Sequence, residues 1–126
     1  PKRFESDLMT RMNHKNVLHA LGMSAPGAPD MFLALAPIRN ALATELAEAR
    51  AALESSTRSH ALTRWSHTNA VQGAIDMALG LRYLHKEAFP GYMLLHRDLK
   101  PRNVGVMEAI KAPTALFPYV ATPFLP

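Results

Sequence analysis

Phe4, Leu8 and Met12 stand four residues apart near the start of the chain, with Glu5 and Met9 beside them. That spacing lines one face of a short helix over residues 3–13. The polar run Asn13-His14-Lys15-Asn16 breaks it, and residues 17–22 predict a short strand closed by Gly22. Pro26, Gly27 and Pro29 then make a turn. Residues 31–38 are mostly apolar and bounded by Asp30 and Pro37, a length that suits a buried strand. Asn40 is a candidate N-cap for a helix over 41–53, where Leu42, Leu46, Ala49 and Leu53 form an apolar stripe among Ala and Glu. Residues 55–67 are polar and aperiodic, a loop or insertion. The longest periodic segment runs over 68–88. Val71, Ala74, Ala78 and Leu81 share one face, widened by Ile75, Leu79 and Leu84, and Pro90-Gly91 ends it. Residues 92–95 and 104–107 are two short strand candidates, and between them lies the polar segment 96–103.

The character changes after residue 107. Pro113, Pro118, Pro123 and Pro126 punctuate a segment with almost no charge, and prolines so placed suit neither a helix nor a central strand. The expectation is one partial domain over 1–107, with an insertion near 55–67, and a Pro-rich, disordered tail over 108–126. Composition narrows the class. Hydrophobic residues make up 48% and charged residues 19%, which is too apolar for a disordered chain. A formal net charge of +4 gives a weak attraction to acidic partners. No zinc-finger spacing or basic heptad region supports specific nucleic-acid reading, so a nucleic-acid partner is not expected. Cysteine is absent, which removes disulfides and thiolate metal sites and fits a reducing compartment. No run of 18 apolar residues is present, so no membrane span is expected. Pro1 reads as an internal start with no leader. His14 and His19, or His60 and His67, lack metal-ligand spacing and read as satisfied or surface histidines. Met9, Met12, Met23, Met31 and Met77 read as gap-filling core.

A polar loop fixed at both ends by apolar strands is a common way to present reacting groups to a cleft. Here the loop is His96-Arg97-Asp98-Leu99-Lys100-Pro101-Arg102-Asn103. It holds a carboxylate, an ammonium and an amide within six residues. Phosphoryl transfer asks a protein for these groups: a carboxylate to orient and deprotonate a hydroxyl, a cation near the phosphate, and an oxygen donor for Mg²⁺. The segment resembles the catalytic loop of the eukaryotic protein kinases, H-R-D-x-K-x-x-N, at every specified position. Counting Leu99 and Pro101, usual in the serine/threonine kinases, seven specified residues would coincide by accident in roughly one chain in 10⁷.

The resemblance extends outward. Residues 78–85 are similar to the end of the helix before that loop, and 104–106 to the strand after it. Residues 4–17 resemble the C-helix and its His-x-Asn-Val break, with Glu5 as the glutamate that pairs with the ATP-anchoring lysine and Asp7 as its rival. Residues 31–38 would lead to the hinge that binds adenine. The resemblance, closest in flavour to the tyrosine-kinase-like group of serine/threonine kinases, implies an α+β, protein kinase-like fold, present as a fragment that is mostly helical with short strands flanking the catalytic loop. It implies ATP and Mg²⁺ as cofactors, a protein substrate, and an intracellular, cytoplasmic setting. Carried over residue by residue, Asp98 is the catalytic base, Lys100 meets the γ-phosphate, Asn103 holds Mg²⁺, Arg97 meets a phosphorylated activation loop, and His96 braces the magnesium-binding motif. Lys100, two residues after Asp98, favours serine or threonine over tyrosine as acceptor.

The departures matter as much. No G-x-G occurs, no Val-Ala-x-Lys precedes Glu5, and no aspartate follows Asp98, so the Asp-Phe-Gly motif is missing. Glu108 is the only carboxylate in the tail. Two functions are therefore expected to compete: a protein serine/threonine kinase present as an incomplete, inactive fragment, or a catalytically dead remnant that acts as a binding or scaffold module. In either, the 68–88 helix keeps part of its apolar face uncovered and open to a protein partner.

Overall fold

The structure is a computed structural model that describes residues 2–25, 28–30, 32–56, 66–107 and 114–116, with backbone alone at 2–6 and 114–116. In chain order the elements are α1 (Lys2–Arg11), β1 (Ala20–Met23), β2 (Leu33–Leu35), β3 (Asn40–Ala41), α2 (Leu42–Glu54), α3 (His67–Lys86), a 3₁₀ turn (Pro101–Asn103), β4 (Val104–Val106) and β5 (Thr114–Leu116). The α+β class read from the sequence is the one observed. Among the described residues two antiparallel sheets form: β1–β2, and a three-stranded sheet in the order β3–β4–β5.

β1 and β2 pair as Ala20↔Leu35, Gly22↔Ala34 and Met23↔Leu33, with a register irregularity between Ala20 and Gly22. Backbone bonds from Ala36 N–H to the His19 carbonyl (2.8 Å) and from Ser24 N–H to the Phe32 carbonyl (3.0 Å) extend the ladder at its two ends. The strand expected over 31–38 is present but shorter, and the one expected over 17–22 is shifted to Ala20–Met23, running through Gly22 instead of ending at it. In the larger sheet, Asn40↔Val106 and Ala41↔Gly105 join β3 to β4, and Val104↔Leu116 through Val106↔Thr114 join β4 to β5. β5 interrupts the tail expected to lack structure. Thr114–Leu116 lie between Pro113 and Pro118 on an outer strand, where a missing N–H breaks no ladder. The rest of 108–126 lies outside the described residues.

Asn40 is not the N-cap expected of it. It is a strand residue, the cap position falls on Ala41 with no side-chain bond, and the Asn40 carboxamide instead accepts the Ala41 N–H (3.2 Å) and donates toward Glu45 Oε1 (3.5 Å). The ladder to β4 outweighs a cap because it satisfies main-chain groups on both strands. The apolar stripe of α2 is also turned. Leu42, Glu45, Ala49 and Ala52 are buried, while Leu46 is exposed and Leu53 is 67% exposed. Glu45 faces inward because Arg39 (3.9 Å) and Asn40 meet it there, and a paired buried carboxylate is tolerated where a lone one is not.

α3 starts on Ser66, whose hydroxyl accepts the Asn69 N–H (3.4 Å). It stops at a Pro90-Gly91 turn, with Gly91 at φ +79° and Tyr92 N–H bonded to the Phe89 carbonyl at 3.1 Å. Its buried face runs Gly73, Asp76, Gly80, Leu84; of the expected residues Leu84 is buried and Leu81 is half-buried against the second core, whereas Val71, Ala74, Ile75 and Ala78 are exposed. Val71 and Ile75 are 46% and 47% exposed. The two glycines and Asp76, with Gln72 Nε2 at 3.0 Å from Asp76 Oδ1, are therefore what α3 turns inward, and periodicity of large apolar residues could not see them. α3 links two cores. Leu84 joins Met9, Met12, Val17, Ala20 and Leu94, while Met77 and Leu81 pack on Leu42, Val104 and Val106. Met9 and Met12 are buried as expected; Met31 lies outside the described residues. The expected strand over 92–95 does not form. The Leu94 N–H bonds the Leu84 carbonyl at the end of α3 (3.1 Å), which commits this segment to the helix end.

Candidate active site

The loop after α3 is shaped by its backbone before its side chains do anything. Leu94 is buried in the first core and anchors the entry. Val104 and Val106, 2% exposed, anchor the exit through β4 in the second. Between them Pro101 starts the 3₁₀ turn, a position that needs no N–H, and Asn103 N–H closes it on the Lys100 carbonyl at 2.8 Å. Arg97 sits at φ +58°, a left-handed conformation that costs a non-glycine residue about 1–2 kcal/mol. Strain of this kind persists where the surroundings over-determine the backbone, and it clusters at reacting sites.

This backbone brings Asp98, Lys100 and Asn103 together. Lys100 Nζ lies 2.7 Å from Asp98 Oδ2. Asn103 Nδ2 donates to Asp98 Oδ2 at 2.9 Å and to the Asp98 carbonyl at 2.8 Å. Asp98 N–H is shared between the His96 carbonyl (2.8 Å) and His96 Nδ1 (3.3 Å). The Asp98 carboxyl is held below its usual value of 3.8, first by the Lys100 hydrogen bond, with partial burial pulling upward and the Asn103 amide and the charges of Lys100 and His96 pulling down. It is a carboxylate fixed in direction and half open to solvent.

His96 is buried, and its Nε2 has no hydrogen-bond partner among the described residues. Arg97 is exposed. Glu5 lies on α1, and its side chain is outside the described residues, as is Glu108. Asp7, the rival of Glu5, is exposed and pairs with Arg11 at 3.1 Å. Among the described residues no three His, Cys, Asp or Glu cluster as a metal site. The donors that would suit a hard divalent ion are the Asp98 carboxylate and the Asn103 amide oxygen, whose nitrogen is committed to Asp98. Mg²⁺ is commonly held by one or two carboxylates with substrate phosphates and water, so this set fits it in part.

Sequence reasoning missed one junction. Tyr83 of α3 accepts the Asn13 N–H at 3.0 Å and stacks on His14, so His14 is a satisfied histidine, as its spacing suggested, but one tied to a distant helix. An aromatic near a helix end gives no such signal.

Known proteins share this segment. The family model of protein tyrosine and serine/threonine kinases matches residues 3–114. The serine/threonine-protein kinase VIK of Arabidopsis thaliana is 34% identical over 102 residues, 81% of this chain and 20% of that protein. From the same plant, calcium/calmodulin-regulated receptor-like kinase 1 is 28% identical over 118 residues, 92% of this chain and 24% of its own length. Chitin elicitor receptor kinase 1 is 30% identical over 118 residues, 92% and 17% respectively. The chain spans about a fifth of the length of these curated relatives. No described helix is long and apolar enough to cross a membrane. With the family model matched across most of its length, the chain belongs to the protein tyrosine and serine/threonine kinases.

Proposed function

We propose that this chain is the segment of a protein serine/threonine kinase that runs from the C-helix through the catalytic loop, and that it is inactive in isolation. The convergence of Lys100 and Asn103 on one carboxylate oxygen of Asp98, at 2.7 and 2.9 Å, carries this reading. Asp98 orients an acceptor hydroxyl and takes its proton. Lys100, beside it, offsets charge on the phosphoryl group in transfer. The Asn103 oxygen is the donor offered to Mg²⁺, and ATP with its Mg²⁺ supplies the phosphoryl group when bound. His96 and Arg97 hold the loop in the shape that aims Asp98, and Glu5 serves as the ion-pair partner of a lysine this chain does not contain. The acceptor is a protein hydroxyl, serine or threonine before tyrosine, in an intracellular, cytoplasmic setting where ATP is available.

Missing a G-x-G loop, an anchoring lysine and an aspartate after Asn103, the chain lacks the groups that neutralise the phosphates, the principal electrostatic contribution in this chemistry. In a complete catalytic domain that contains this segment, Asp98→Asn is expected to lower phosphotransfer to a serine peptide by about 10²–10⁴-fold. The 126-residue chain alone should transfer none. Full activity in Asp98→Asn sinks the assignment.

The exposure of Val71 and Ile75 on α3 favours a second reading, a kinase remnant that serves as a binding module through this helix. It predicts that the chain gains no thermal stability from Mg²⁺-ATP while a protein partner is held by α3; a clear ATP-dependent shift argues against it.

A further inference from the structure

Away from the catalytic loop, one histidine ties two elements together. His14, in the turn after α1, stacks on Tyr83 of α3 with ring centres 4.8 Å apart and planes 19° from parallel. Its Nδ1 accepts the backbone N–H of Asn16 at 3.1 Å, and the Tyr83 hydroxyl accepts the N–H of Asn13 at 3.0 Å. The half-exposed turn fastened this way is flanked by buried residues: Met12, Asn16, Val17 and Leu18 are all within 3% of full burial. An imidazole nitrogen accepts a hydrogen bond only when it carries no proton, so the observed bond requires the neutral ring with its proton on Nε2. Protonation places an N–H on Nδ1 facing the N–H of the buried Asn16, which turns an attraction into a repulsion.

We propose that His14 is a pH-operated latch that holds the segment after α1 on α3, closed while the imidazole is neutral and released when it is protonated. The charged groups facing it set its working range. Partial burial lowers the His14 pKa from 6.5, the Glu87 carboxylate just past α3 raises it, and Lys15 in the same turn lowers it. His19, whose Nδ1 lies 3.3 Å from the Met12 carbonyl, lines a cavity of about 360 Å³ with His14 and Lys15. Because the folded state favours the neutral ring, the latch contributes fully above pH 6.5. Its contribution falls as the pH drops through that unfolded value and levels off below the lower folded one. Acidification would thereby loosen α1, the helix that carries Glu5. That consequence rests on the kinase reading; the latch does not.

The test is a histidine titration and amide hydrogen exchange by NMR on the 126-residue chain, at about pH 7.5 and about pH 5.5, corrected for intrinsic exchange. His14 is expected to titrate below 6.5. Protection of Asn13 and Asn16 is expected to fall several-fold on the acid side, while the β4 amides keep theirs. His14→Asn offers a non-titrating oxygen that accepts the N–H two residues on, and should hold Asn16 protection flat across the range. Tyr83→Phe keeps the stack but not the acceptor for Asn13, and should lower Asn13 protection at both pH values while the acid response of Asn16 survives. The same acid loss in His14→Asn, or wild-type His14 titrating at or above 6.5, overturns the proposal; the wild-type titration decides alone if a variant does not fold. Phosphotransfer is not read, so failure of the kinase assignment leaves this result intact.

Discussion

Asp98 owes its character to two neighbours in the same loop. Lys100 Nζ at 2.7 Å and Asn103 Nδ2 at 2.9 Å both bind Oδ2, and together they keep the carboxyl ionised below 3.8. Removing Lys100 removes the largest of these influences, so Lys100→Ala is expected to raise the Asp98 titration midpoint, monitored by the side-chain carboxyl resonance. No change would mean that the pair seen here does not persist in solution. A carboxyl that ionises more readily folded than unfolded favours the fold above its unfolded value and loses that contribution as pH falls through the folded one, so the effect of Lys100 is lost in acid. It is also small, because both side chains are partly exposed and solvent screens them. The identity of these residues was legible in the sequence. Their hydrogen bonds, and the left-handed Arg97 that aims them, were not, because neither a spacing nor a residue type encodes the direction in which a loop is bent.

At the scale of elements, α3 is where pattern and packing diverge most. Its length and both ends were legible: it begins beyond a polar run, on Ser66, and ends ahead of the Pro90-Gly91 turn. Its inward face was not. Large apolar residues mark Val71 and Ile75, yet the face turned inward carries Gly73, Asp76 and Gly80. Small residues contribute no hydrophobic signal of their own, so periodicity finds Leu81 and Leu84 in the last turns but misses the face turned inward in the first half of the helix. The two faces are told apart by truncation. Leu84, 2% exposed in the first core, should cost about 2–4 kcal/mol when changed to Ala. Ile75→Ala, on the open face, should cost about 0.5 kcal/mol or less, measured by chemical denaturation. Equal costs would show that the Ile75 side of α3 is covered in solution. In α2 the same reversal has a different cause, since the buried Glu45 is drawn inward by Arg39 and by Asn40, the second of which has the residue type of a helix cap.

For the molecule as a whole, the two cores are modest and joined by α3 alone among the described helices, whereas Leu21, Phe32, Leu53, Val71 and Ile75 remain exposed. Apolar surface left open at several places promotes association. The chain is expected to self-associate with concentration in sedimentation experiments, and Val71→Lys with Ile75→Lys should lower this tendency; unchanged association would assign it to the β1–β2 surface or to α2. The sequence by itself determined the α+β class, the three helices seen among the described residues, the kinase ancestry and the residue types of the loop over 96–103. These rest on local spacing and on residue types that the chemistry demands in short order. Only the tertiary structure decided which helix faces turn inward, that Asn40 pairs with β4 rather than capping α2, that the 92–95 segment bonds to the end of α3 instead of forming a strand, and that His14 is fastened to Tyr83. Each of these is a choice between two locally acceptable arrangements, and the energy that separates them comes from groups far away along the chain.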